Sequence, residues 1–233
     1  HIPVMKDAAK NIMQYNKNIT ITIAGGGSGV GVKQVGEGLV NIGNTGRALK
    51  ESEITQYGLQ SYPFAIDGVA VAVHPSNPVK ALTSQQVQDI FSGKITNWKE
   101  LGGKDSAINM YTSEDGSGTR EVFVDILLNK GSIVSKAVVV NSNGAMKTSV
   151  SKDPSGIGYV GIGHVDSSVK ALDIDGVTPS QENASNGAYK VTRLLYMNTK
   201  GAPDKLTQAF INYITDSADG KKIIIDSGYI PLK

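Results

Sequence analysis

The chain has 233 residues, of which 39% are hydrophobic and 19% charged, with a formal net charge of +2 and no cysteine. That length supports one large domain or two lobes of roughly a hundred residues each, with real cores. The small charge and scattered lysines argue against a nucleic-acid surface. No apolar run reaches the roughly 18 residues of a membrane helix, and the missing thiols exclude disulfides, thiolate nucleophiles and cysteine-ligated metals.

The chain opens abruptly in a helical pattern, with Pro3 suited to a first turn and Val4, Met5, Ala8, Ala9, Ile12 and Met13 at helical spacing. No signal peptide heads it, so a processed or trimmed chain is expected. The alternation of Ile19, Ile21 and Ile23 predicts a strand over 19–24. After the glycine stretch GGGSGVGVKQ (25–34), Val32, Val35 and Leu39 predict a short helix. The apolar run GVAVAV (68–73) reads as a strand buried on both faces. Thr83 and Gln86 form a capping box that opens a helix carrying Val87, Ile90 and Phe91. AINMY (107–111) reads as a strand, and SEDGSGTR leads into a helix with Val122, Phe123, Ile126 and Leu127 on one face. AVVV (137–140), IGYVGIG and LLYM (194–197) read as short strands, followed by helices near 204–215 and 218–226. Strands alternating with helices predict an α/β fold with mostly parallel sheets, without repeats or a flexible linker.

The strand–glycine–serine–helix arrangement occurs twice, in ITIAGGGSGVGVKQ and INMYTSEDGSGTREVF. Each places small residues and hydroxyls where the first backbone N–H groups of a helix lack partners and the dipole is positive. A small oxyanion is the natural guest, with Ser28, Ser117 and Thr119 as hydroxyl donors and glycines admitting the ligand to the backbone. One such turn alone is only a helix cap; two matched copies point to a shared anion between two lobes.

Other chemistries fail on the residues. No Gly-Lys pair is followed by Ser or Thr, as a Walker A loop requires, and position 34, where a dinucleotide fingerprint needs glycine, is Gln34. A nucleophile elbow fails at Ser28, Ser117 and Ser155, and His1, His74 and His164 are scattered, so neither a catalyst nor a metal site is expected. Asp115 has two readings. It is a turn or cap residue, or it is an acceptor that rewards the proton phosphate still carries and penalises sulfate, which has none. Arg47, in GNTGRALK, is either a surface ion pair or a bidentate oxyanion ligand. Arg120 reads as an ion-pair residue.

Taken as a set and in order, GGGSGVGVKQ, VNIGNTGRALKESE, FAIDGVAVAVHPSNPV, LTSQQVQDIFSGKITNWKELGG, DGSGTREVF, GIGYVGIG and GYIPLK resemble the phosphate-binding proteins of ABC-type phosphate uptake systems over nearly the whole chain. The resemblance implies a two-lobed, type II periplasmic-binding fold with the ligand in a hinge cleft. The expected lobes are residues 1–72 with 191–233, and residues 73–190. It implies a non-enzymatic monomer without cofactor or metal, at the periplasmic or extracellular face of the membrane with or without a lipid anchor, that delivers inorganic phosphate to a membrane permease. By position, Ser28 matches the serine of the family's first glycine loop, and Asp115, Ser117, Gly118 and Thr119 match its acid and Ser-Gly-Thr. Thr45 and Arg47 are the added candidate donors. Three features depart from the family. The chain begins just after the usual first strand, Ser113 stands where many relatives have arginine, and Gly46 stands where some have aspartate. A ligand-sensing or scaffolding member of the same fold, with weak or altered anion binding, is the alternative.

Overall fold

A computed structural model describes residues 1–233. In chain order its first elements are α1 (Ile2–Tyr15), α2 (Ser28–Gly36), β1 (Gly43–Thr45), α3 (Glu51–Tyr57), β2 (Leu59–Val73), β3 (Ala81–Leu82) and α4 (Ser84–Phe91). Then come β4 (Asn109–Ser113), α5 (Gly118–Val122), β5 (Val138–Val140), α6 (Asn143–Ser151), β6 (Gly156–Gly161), β7 (Lys170–Ala171), β8 (Asp173–Ile174) and α7 (Gln181–Ser185). The chain ends with β9 (Thr192–Lys200), α8 (Lys205–Asp216), α9 (Ala218–Asp226) and β10 (Ile230–Pro231). Residues 1–66 with 193–233 form one compact unit, unit 1, and residues 67–192 form unit 2.

In unit 1, β1 runs antiparallel to β9 with Thr45 opposite Tyr196, and β10 runs antiparallel to the first part of β2. The amphipathic pattern of α1 does what its spacing predicts: Val4, Met5 and Ala8 are buried against Phe64, Leu195, Met197, Ile211, Ile214 and Ile224. Burying each of the larger side chains contributes about 1.5–3 kcal/mol. A smaller cluster joins Val32 and Val35 of α2 to Leu59. Leu39 is not on this face: α2 ends at Gly36, and Leu39 is 69% exposed.

The segment Ile19–Ala24 is not a strand. Residues 19–27 have no regular structure, because no neighbouring segment pairs with them and alternation alone leaves the backbone hydrogen bonds unmade.

In unit 2, the run Gly68–Val73 is the second part of β2 and is wholly buried, as its apolar sequence requires. It pairs antiparallel with β6 and β7, whereas β6–β4 and β4–β5 are parallel. The expected parallel pairing is therefore met around β4 and in the short β3–β8 pair, and antiparallel ladders supply the rest. Ala72, Met146, Val150, Val160 and Val169 form one core cluster. Phe123 stacks on Tyr159 with centroids 3.9 Å apart, and Phe91 meets Phe123 edge-on at 4.9 Å. The capping box of α4 forms: Thr83 Oγ1 accepts the Gln86 N–H at 3.1 Å, and Gln86 Oε1 accepts the Thr83 N–H at 2.9 Å. No helix is long and apolar enough to cross a membrane.

Candidate functional site

Each glycine–serine loop lies at a helix N-terminus, one in each unit. In unit 1, Gly27 is the N-cap of α2, with no side chain capping the helix and no acidic residue in its first turn. Ser28 is the first helical residue, and its Oγ accepts the Gly46 N–H at 3.0 Å. The hydroxyl has thus used an acceptor position and keeps its proton to donate.

The glycines of this loop divide into two groups. A Cβ on Gly27 or Gly29 would meet nothing within 4 Å, so the backbone there is open to a guest. A Cβ on Gly31 would stand 2.6 Å from the Asn44 carbonyl oxygen, and one on Gly43 would overlap the Gly31 carbonyl and lie 2.7 Å from Val35 Cγ1. Gly31 therefore serves the close approach of α2 to β1 rather than a ligand.

The Asn44–Arg47 turn is internally satisfied. Thr45 is fully buried; its Oγ1 donates to the Arg47 carbonyl at 2.8 Å and accepts from Asn198 Nδ2 at 3.0 Å. The Arg47 fork is bidentate on Glu53, with Nη1 to Oε2 at 2.9 Å and Nη2 to Oε1 at 2.8 Å. These hydrogen bonds, opposed in part by burial, hold the Glu53 carboxyl down at about 2. Of the two readings of Arg47, the geometry realises the ion pair. The Thr45 hydroxyl is likewise engaged, its proton given to the Arg47 carbonyl.

In unit 2, β4 delivers the chain to the second loop. Tyr159 Oη lies 2.7 Å from Thr112 Oγ1 and accepts the Ser113 N–H at 2.9 Å, tying the strand end to the aromatic stack. Gly116 adopts φ +87°, a conformation that favours glycine. Ser117 is the N-cap of α5, its Oγ accepting the Arg120 N–H at 3.3 Å. Its proton, like that of Ser28, is left to donate. Gly118 and Thr119 follow as the first two helical residues.

Asp115 is placed otherwise than a buried selectivity acid. Its side chain is 96% exposed, and its Oδ1 lies 3.2 Å from Arg120 Nη2. Arg120 Nη1 also donates to Ser113 O at 2.7 Å and to Thr112 Oγ1 at 2.9 Å. A guanidinium thus stands beside Ser113 although residue 113 itself supplies none. It comes from a helical turn later in sequence, which spacing along the strand could not reveal. Arg120 forms the ion pair expected of it, with Asp115, whereas a second arginine escaped the sequence analysis. The guanidinium of Arg193, in β9, packs where a side chain on Gly46 would stand. No group of three or more His, Asp or Glu side chains is placed to hold a metal ion.

The family model described as a PBP superfamily domain matches residues 2–218. The chain is 37% identical over 232 residues to the phosphate-binding protein PstS of Bacillus subtilis, covering 99% of this chain and 77% of that protein. It is 31% identical over 252 residues to PstS of Pseudomonas aeruginosa, covering 96% and 78%. Among solved structures, a phosphate ABC transporter substrate-binding protein with bound phosphate from Clostridium perfringens shares 37% identity with a TM-score of 0.78, covering 100% of this chain and 96% of that one. An ABC-type phosphate transport receptor from Vibrio cholerae shares 34% identity with a TM-score of 0.87, covering 97% and 94%. On sequence and on fold alike, the chain belongs to the PBP superfamily, in the family of the PstS phosphate-binding proteins, and has their type II periplasmic-binding fold.

Proposed function

We propose that this chain binds inorganic phosphate, without chemically altering it, and hands it to the permease of an ABC-type transporter on the outer side of the cell membrane. The single observation that carries this reading is shared by the two loops. Each serine hydroxyl, Ser28 and Ser117, accepts a backbone N–H and so has its proton to give, at the N-terminus of a helix. With the Gly118 amide and the Thr119 hydroxyl, these supply donors to phosphate oxygens, and the helix dipoles add positive potential. Thr45 and Arg47 act by fixing the turn against which Ser28 is set. The phosphate-bound relative at 37% identity supports the choice of ion.

Asp115 has the acceptor chemistry to take the phosphate proton, and sulfate near neutral pH offers none. Because the carboxylate is exposed and paired with Arg120, its contribution to selectivity is smaller than that of a buried acid. Calorimetric titration with phosphate and with sulfate tests the reading. Phosphate binding that exceeds sulfate binding, with the ratio narrowed in Asp115→Asn, is the expected result. Absence of phosphate binding would overturn the function, and equal affinity for the two ions would remove the role of Asp115.

A further inference from the structure

We infer that Arg193 is the cationic ligand of the unit 1 anion site, its guanidinium binding the oxyanion alongside Ser28. This rests on the phosphate reading above. A Cβ built on Gly46 would stand 2.5 Å from Arg193 Nη1, 2.8 Å from Cζ and 3.2 Å from Nε. The guanidinium therefore fills the space that a side chain at 46 would take. On its amide side the same residue donates to Ser28 Oγ at 3.0 Å. Buried Gly46 thus has the serine hydroxyl on its amide and the arginine fork beside its Cα.

The placement follows from the strand pairing. β9 runs antiparallel to β1 with Tyr196 opposite Thr45, so the start of β9 lies alongside the turn that follows β1. Arg193 is half-buried there and has interaction partners of its own. A planar guanidinium so placed matches two phosphate oxygens at once, which an ammonium cannot do. Exposed Lys33 is less suited, because it lies in the last turn of α2, away from its N-terminus.

The test is calorimetric titration of phosphate into wild type, Arg193→Gln, Arg193→Lys and, as a surface-charge control, Lys33→Gln. Loss of a charged bidentate ligand weakens phosphate by about tenfold to a hundredfold in Arg193→Gln. Arg193→Lys recovers only part of this, and Lys33→Gln stays within about twofold of wild type because its charge is solvent-screened. Thermal denaturation reports whether each variant is folded. If Arg193→Gln is not, Gly46→Ala decides, since the added methyl displaces the guanidinium while keeping its charge, and weaker phosphate binding is expected. Wild-type phosphate affinity in a folded Arg193→Gln, or in Gly46→Ala where that variant decides, overturns the inference and leaves the function standing. A wild type that binds no phosphate overturns the function itself and this inference with it.

Discussion

The two glycine–serine loops are close in composition and differ in construction. The loop after β4 is fed by a strand paired on both sides, with β5 and β6, and Gly116 turns it with a positive φ. The loop before α2 is fed by nine residues without regular structure, and Gly31 serves to let the helix settle on β1. Ser117 caps its own helix through the Arg120 N–H, whereas Ser28 reaches across to the Gly46 N–H. The lesson is that similar small-residue runs arrive at one end state, a serine proton left to donate at a helix N-terminus, by different routes. In unit 2 the loop is positioned by the strand before it. In unit 1 it is positioned from behind, by helix-on-strand packing.

The sharpest way to break this contrast is Gly43→Ala. Its methyl would overlap the Gly31 carbonyl and press on Val35, so α2 would have to move off β1. A loss of about 3 kcal/mol in chemical denaturation is expected; a loss under about 0.5 kcal/mol would mean that packing does not position the first loop.

Next come Ser28→Ala and Ser117→Ala. Each removes a donor to a charged ligand, and phosphate affinity should fall by about tenfold or more in calorimetry. Ser117→Ala should also lower the melting midpoint by the equivalent of about 1 kcal/mol through loss of the helix cap. If one serine proves silent in binding, the two loops are not functional equivalents.

A smaller effect is expected at the turn beside Ser28. The Glu53 carboxyl, held at about 2 by Arg47, lies below its ordinary value of 4.5. A folded-state value below the unfolded one gives stability that is present above about pH 4.5 and is lost as the pH falls towards 2. Glu53→Gln should therefore cost about 1 kcal/mol at neutral pH, allowing for solvent screening, and should flatten this acid limb in pH-dependent denaturation.

The smallest effect on stability, and the most diagnostic for the ligand, is Gly29→Ala. A Cβ there meets nothing within 4 Å, so the fold should be unchanged or gain about 0.5 kcal/mol of helix propensity. Phosphate binding should weaken all the same, because the methyl enters the space over the first-turn amides. Unchanged binding would place the ligand away from this loop.

Much of this molecule is written in local sequence. The spacing of Val4, Met5 and Ala8, the Thr83–Gln86 capping box and the apolar run 68–73 each specify a helix, a start signal and a buried strand, because their causes lie within one or two turns of chain. Ser117, Gly118 and Thr119 were visible for the same reason: a helix cap is a local device. What tertiary structure decided was which partners came from far away in the chain. Alternation of Ile19, Ile21 and Ile23 cannot make a strand without a neighbour to bond. The engagement of Arg47 by Glu53 and of Thr45 by Asn198 depends on how a turn folds back on itself and on β9. Arg193 was invisible beside Gly46 because 147 positions separate them (193 − 46) and only the pairing of β1 with β9 brings them together. Periodicity and caps are properties of adjacent residues, whereas the charge around an anion site is set by side chains that meet only after the strands have found their register.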